Sequence, residues 1–173
     1  LLNIGASIMN VNIAAGGDFI FTRDIGMGGA YYTEYVQRDL GVSYEEAEQY
    51  KKGEAPEELK LKVSSVLQSV SEILALEVQK TFDYFRTTSE FEEMQSIFIC
   101  GGASRTEGLR EYLQETFQVP VEFLNPFQAI QGNGSKLPAG VGEDGSELTI
   151  AVGLALRQVG DKPSAAAAGS QTG

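Results

Sequence analysis

The chain has no histidine and only one cysteine, Cys100, among its 173 residues. Without an imidazole there is no Ser-His or Cys-His catalysis and no histidine-ligated metal site. A lone thiol cannot close an internal disulfide, so a reducing, intracellular compartment is expected. No apolar run is long enough to cross a bilayer, and no stretch reads as a signal peptide. Cations are scarce too: 13 Lys and Arg against 24 Asp and Glu leave a formal charge of −11. That balance supplies no basic stripe to meet nucleic-acid phosphates, and it disfavours an anionic membrane surface.

What is present is a globular composition, 42% hydrophobic and 21% charged. The length suits one domain with room for two lobes and a sizeable core. The chain opens at Leu1-Leu2, inside a strand-like run and without an initiator methionine, and so reads as a piece of something longer.

The organising stretch is Ile97-Phe98-Ile99-Cys100-Gly101-Gly102-Ala103-Ser104-Arg105-Thr106-Glu107. A strand runs into paired glycines, and Ser104 with Glu107 has the spacing of a capping box that opens a helix over 106–117. Such a turn lets a ligand lie against bare backbone near exposed amides. A tight strand–helix connection without a ligand fits the same residues.

Upstream, residues 1–4 read as the end of a buried strand and Gly5-Ala6-Ser7 as a break. Residues 8–14 alternate apolar and polar, a hairpin turn follows at 16–18, and residues 19–25 return as the partner strand. Gly26-Met27-Gly28-Gly29 then breaks the strand. A helix is expected over 30–40 with Gly41 at its end, and a second opened by Ser43-Tyr44-Glu45-Glu46. A long helix starts near Pro56 and reaches about residue 86. Its stripe of Leu59, Val63, Val66, Leu67, Val70, Ile73, Leu74, Phe82 and Phe85 reads as core. Residues 120–124 make a further strand, 132–146 a glycine-rich loop, and 148–157 a small-residue helix. In that helix Gly153 suggests close packing.

Four pieces stand in one order: Asn3-Ile4-Gly5-Ala6-Ser7, Ala47-Glu48-x-x-Lys51, Ile99-Cys100-Gly101-Gly102-Ala103-Ser104, and Ala151-Val152-Gly153-Leu154-Ala155. This order resembles the second lobe of the actin-like, ribonuclease H-like ATPase fold shared by actin, chaperone ATPases, sugar kinases and FtsA. Phe21-Thr22-Arg23-Asp24-Ile25 with Gly28-Gly29, and Asn125-Pro126-Phe127, are more similar to the PilM family of type IV pilus assembly proteins.

The resemblance implies an α/β fold, a mixed sheet flanked by helices with a helical insertion. It divides the chain into a core subdomain (1–28 and 93–145), a helical subdomain (29–92), a connecting helix (146–158) and a disordered tail (159–173). It assigns Gly5, Ala6 and Ser7 to the second phosphate loop, facing the β- and γ-phosphates of ATP. Glu48 and Lys51 flank the adenosine, the carboxylate on the ribose and the lysine stem on the purine; a solvated helix face is the alternative for the pair. Gly101, Gly102 and Ala103 let the base and α-phosphate approach the backbone. Gly153 is either packing or a hinge between lobes.

Two departures stand out. The family's phosphate loop opens with an aspartate that orders waters around Mg²⁺, and here the position is Asn3. The fold's first half, with its first phosphate hairpin and its catalytic acid, is absent. The function implied is a cytoplasmic, nucleotide-binding scaffold at the inner membrane that recruits the cytoplasmic peptide of PilN and links it to the motor. Self-assembly is also implied, with neither nucleic acid nor membrane insertion. An FtsA-like polymer subunit and a catalytic sugar kinase or ATPase are the alternatives.

Overall fold

The computed structural model describes residues 1–16, 18–89, 93–127 and 145–157. Five strands, β1 (Leu2–Ile4), β2 (Met9–Ala15), β3 (Asp18–Ile25), β4 (Ile97–Cys100) and β5 (Val121–Phe123), form one sheet in the order β3-β2-β1-β4-β5. The first three are antiparallel and consecutive, as short loops require, whereas β4 joins β1 in parallel and β5 joins β4 in parallel. Between β3 and β4 come α1 (Gly29–Leu40), α2 (Tyr44–Lys51) and α3 (Glu57–Thr88); α4 (Leu109–Phe117) links β4 to β5, and α5 (Thr149–Ala155) follows.

The period of two sorts the sheet's faces. Leu2, Ile4, Met9, Val11, Ile97, Ile99 and Val121 are buried on one side. They join one continuous core with Tyr32 and Val36 of α1, the α3 stripe, and Leu109 and Leu113 of α4. The stripe is core as expected, with Val63, Val66, Leu67, Val70, Leu74 and Phe85 buried and Leu59, Ile73 and Phe82 packed against them. At 32 residues α3 spans about 48 Å and reaches from α1 and α2 to the sheet edge. There Phe21 of β3 meets Tyr84 and Phe85.

The helix ends follow local chemistry in two places. Ser43 and Glu46 form both halves of a capping box, and Gly41 closes α1 in the left-handed region at φ 69°.

Two expectations are corrected. Ser104 and Glu107 do not cap α4. Residues Gly102–Arg105 form a single 3₁₀ turn, and buried Ser104 donates its hydroxyl to the Gly101 carbonyl at 2.7 Å. Left-handed Gly108 (φ 76°) interrupts the chain, so the helix begins at Leu109. The SxxE spacing was local, and the tight exit from β4 overrode it. Nor is Gly153 closely packed: a Cβ there would meet nothing within 4 Å among the described residues, and no residue of α5 is buried. Most of the loop expected over 132–146, and all of the tail expected over 159–173, lie outside the described residues; Ser146 itself opens a 3₁₀ turn.

Candidate functional site

Parallel strands β1 and β4 end side by side, and each runs into a turn of small residues. After β1, the Gly5 amide donates to the Ile8 carbonyl at 3.0 Å and closes the turn. The Gly5 and Ala6 carbonyls accept from the Gly29 and Ala30 amides at 2.9 and 2.7 Å, satisfying two of the free donors at the start of α1. This approach requires Gly28, where a Cβ would lie 2.5 Å from the Gly5 oxygen and 2.7 Å from that of Ala6. Ala6 and Ser7 are exposed, and no hydrogen bond among the described residues engages their amides.

After β4, Gly101 adopts φ 87°, ψ 160°, a conformation open essentially to glycine alone. A Cβ there would lie 2.5 Å from the Ile4 carbonyl and 2.7 Å from Asn3 Oδ1, so the two strand ends are in direct contact. Gly102 is exposed with open space where a side chain would go, and the Gly102 and Ala103 amides begin the 3₁₀ turn.

The third component comes from α1 and α2. Lys51 Nζ donates to the Gly29 carbonyl at 3.2 Å, to Thr33 Oγ1 at 2.9 Å and to Glu48 Oε1. Thr33 Oγ1 also donates to Glu48 Oε1. Burial pushes the Glu48 carboxyl up, but the hydrogen bonds from Lys51 and Thr33, with the charges of Lys51 and Lys52, outweigh it and hold it below its ordinary range. The Lys51 ammonium thus turns inward and pins α2 to the first turn of α1.

Gly29 is where these parts meet. The position of a Cβ on Gly29 is 3.0 Å from Ala103 Cβ, 3.7 Å from Lys51 Nζ and 3.8 Å from the Gly5 carbonyl. Gly5, Lys51 and Ala103 therefore meet at Gly29, with Ala6 bonded to Ala30, Gly101 against the end of β1 and Glu48 tied to Lys51, at the carboxyl ends of parallel strands, the ordinary place for a ligand in such a sheet. Exposed amides suit anionic oxygens, and the open space over Gly102 suits a flat group lying on backbone, so the residues fit a phosphorylated nucleoside.

The fit to Mg²⁺ is poorer. Asn3 Nδ2 donates to Asn10 Oδ1 at 2.8 Å, and Asn3 Oδ1 accepts from Cys100 Sγ at 3.6 Å, so both ends of the amide are engaged within the sheet. Among the described residues no group of three carboxylate, cysteine or histidine side chains could hold a metal.

Sequence reasoning used Gly28 and Gly29 as a strand break and as part of the family wording but gave them no place in the site, although the paired glycine was the signal that could have found them. Thr33 belongs to no motif and was missed. Among the described residues a concavity of about 800 Å³ lies at the opposite end of the sheet, beside Leu1, Phe82, Phe85 and Phe117, and contains none of the site residues.

Residues 1–159 match the family described as type IV pilus assembly protein PilM. Among solved structures, the PilM–PilN type IV pilus biogenesis complex is 24% identical, with a TM-score of 0.73 over 90% of this chain and 44% of that one. The ethanolamine utilization protein EutJ from Carboxydothermus hydrogenoformans is 20% identical, with a TM-score of 0.58 over 70% of this chain and 42% of its own. MreB 5 of Spiroplasma citri, bound to AMPPNP, is 16% identical, with a TM-score of 0.50 over 70% of this chain and 46% of its own. The fold is that of an actin-like lobe, and the chain spans less than half the length of each of these proteins.

Proposed function

Because the chain belongs to the PilM family of type IV pilus assembly proteins, we propose that it is the second lobe of a nucleotide-binding scaffold in the pilus assembly platform. The observation that carries this reading is the meeting of three bare-backbone segments at Gly29, beside the free amides of Ala6 and Ser7. In the intact protein Ala6 and Ser7 donate to the β- and γ-phosphates of ATP, with Gly5 keeping the turn tight. Gly101, Gly102 and Ala103 leave space for the base and α-phosphate, while Glu48 and Lys51 border the adenosine. Mg²⁺ enters on the phosphates, with Asn3 contributing at most through water.

The core subdomain is formed by 1–28 and 93–145 and the helical one by 29–92, and α5 connects to the lobe that completes the cleft. The intact protein works at the cytoplasmic face of the inner membrane. It recruits the cytoplasmic peptide of PilN, the partner in the related complex, and links it to the motor. As the family resemblance implies, ATP acts there as a structural or switching ligand.

The test is calorimetric titration of the intact protein with Mg²⁺–ATP and with a peptide of the PilN cytoplasmic segment. Both are expected to bind, and Gly102→Val is expected to abolish ATP binding while leaving the thermal transition near that of the wild type. Native ATP affinity in that variant refutes the placement of the nucleotide; failure of the peptide to bind refutes the scaffold role.

A further inference from the structure

Thr33 lies on α1 one turn past Gly29 and is fully buried. Its hydroxyl has one proton and two acceptors within reach, the Gly29 carbonyl at 3.2 Å and Glu48 Oε1. The charge of the carboxylate directs that proton to Glu48. Lys51 completes the arrangement by donating both to the Thr33 hydroxyl, at 2.9 Å, and to the same Glu48 oxygen.

The consequence is a carboxylate held asymmetrically. Two donors from inside the fold fix Oε1, whereas no hydrogen bond among the described residues engages Oε2, on a side chain still 26% exposed. A side chain locked from behind presents its remaining oxygen in one direction, which is how a supporting residue pre-organises a contact. That oxygen only accepts hydrogen bonds, and its charge repels phosphate. Of the groups a nucleotide offers, the paired hydroxyls of the ribose match it.

We propose that Thr33 is a positioning residue whose hydroxyl aims Glu48 at the ribose diol and so makes the site selective for ribonucleotides. This rests on the nucleotide-binding reading given above. It adds a specificity device that lies out of contact with the ligand, at a residue that belongs to none of the sequence motifs.

The experiment measures the affinities of the intact protein for ATP and for 2′,3′-dideoxy-ATP in the wild type, Thr33→Val and Thr33→Ser, with thermal unfolding of each. Valine keeps the buried volume and Lys51 still serves the Gly29 carbonyl, but Glu48 is then held at Oε1 by one donor in place of two and its carboxylate can swing away from the ribose. The wild type is expected to prefer ATP. Thr33→Val should lose about tenfold in ATP affinity, the scale of one hydrogen bond to a charged group, with dideoxy-ATP affinity unchanged. Thr33→Ser, which retains the hydroxyl, should keep the preference. An equal loss for both nucleotides, an unchanged preference in Thr33→Val, or a preference lost in Thr33→Ser overturns the role of Thr33 and leaves the nucleotide site standing. A wild type that binds neither nucleotide overturns the nucleotide reading itself and this inference with it.

Discussion

Asn3 and Asn10 face each other across β1 and β2, with Asn3 Nδ2 donating to Asn10 Oδ1 at 2.8 Å. The polarity of this contact is dictated from the sheet edge. Asn10 Nδ2 donates to Asp24 Oδ1 at 2.7 Å, and a carboxylate can only accept, so Asn10 has its oxygen left to offer Asn3. Cys100 completes a side-chain ladder across four strands; burial pushes its thiol up, so the S–H persists as a donor to Asn3. An aspartate at position 3 would set its oxygen against the Asn10 oxygen, so this ladder favours asparagine there.

The ladder makes Asn3→Asp destabilising. The new carboxylate meets the Asn10 oxygen, and Asn10 cannot turn over without abandoning Asp24. Urea denaturation should show a loss of about 1–3 kcal/mol, the usual penalty for an unsatisfied buried polar group. Adding Asp24→Asn lets Asn10 reverse, and the double variant should recover at least half of the loss. Simple additivity of the two changes would refute the directional ladder.

Adjacent glycines should behave oppositely. Gly101→Ala introduces a Cβ 2.5 Å from the Ile4 carbonyl in a backbone conformation that other residues avoid, and should cost about 3 kcal/mol or more. Gly102→Ala enters open space and should stay within about 0.5 kcal/mol of the wild type. Thermal unfolding of both variants checks the contrast, and comparable losses would contradict the geometry of the β4 exit.

Glu48 should steepen the loss of stability in acid. Its carboxyl is held below the ordinary 4.5, so its contribution is present above that pH and disappears as the pH falls through the lower folded value. Glu48→Gln should be less stable than the wild type at neutral pH, with the gap closing as the pH falls below the ordinary carboxylate range. Denaturant midpoints across that range give the result. A gap independent of pH would mean that packing, and not the charge, is what Glu48 contributes.

Tyr32 should act at the alkaline end. Burial, only partly offset by its hydrogen bond with Ser71, pushes its hydroxyl from 10.0 up to about 12. Between those values the unfolded chain ionises first, so this contribution is present below pH 10 and is lost as the pH rises toward 12. Tyr32→Phe removes the titration, and Ser71 keeps its bond to the Leu67 carbonyl at 3.0 Å. The variant should show a flatter decline of stability with pH than the wild type; parallel curves would contradict the assignment.

The sequence by itself determined what local interactions control. Period-two alternation marked β2, the glycine turn after it marked β3 as its partner, a three- and four-residue stripe marked α3, and Ser43 with Glu46 and Gly41 marked helix ends, because each signal acts between residues a few positions apart. It also singled out Gly5 to Ser7 and Gly101 to Ala103 as small-residue turns, which the fold sets at neighbouring strand ends, since bare backbone is visible as glycine. What it could not determine depends on residues far apart in the chain. The pairing of Asn3 with Cys100 exists only because β4 returns beside β1 after nearly a hundred residues. The tight exit from β4 turned Ser104 inward and cancelled a capping box that was correct in spacing, and among the described residues nothing packs on Gly153 of α5. Thr33 makes the same point, for it became part of the site only when α2 packed on α1 and brought Glu48 and Lys51 to its hydroxyl. Local sequence sets which elements form; long-range pairing decides which of their side chains meet.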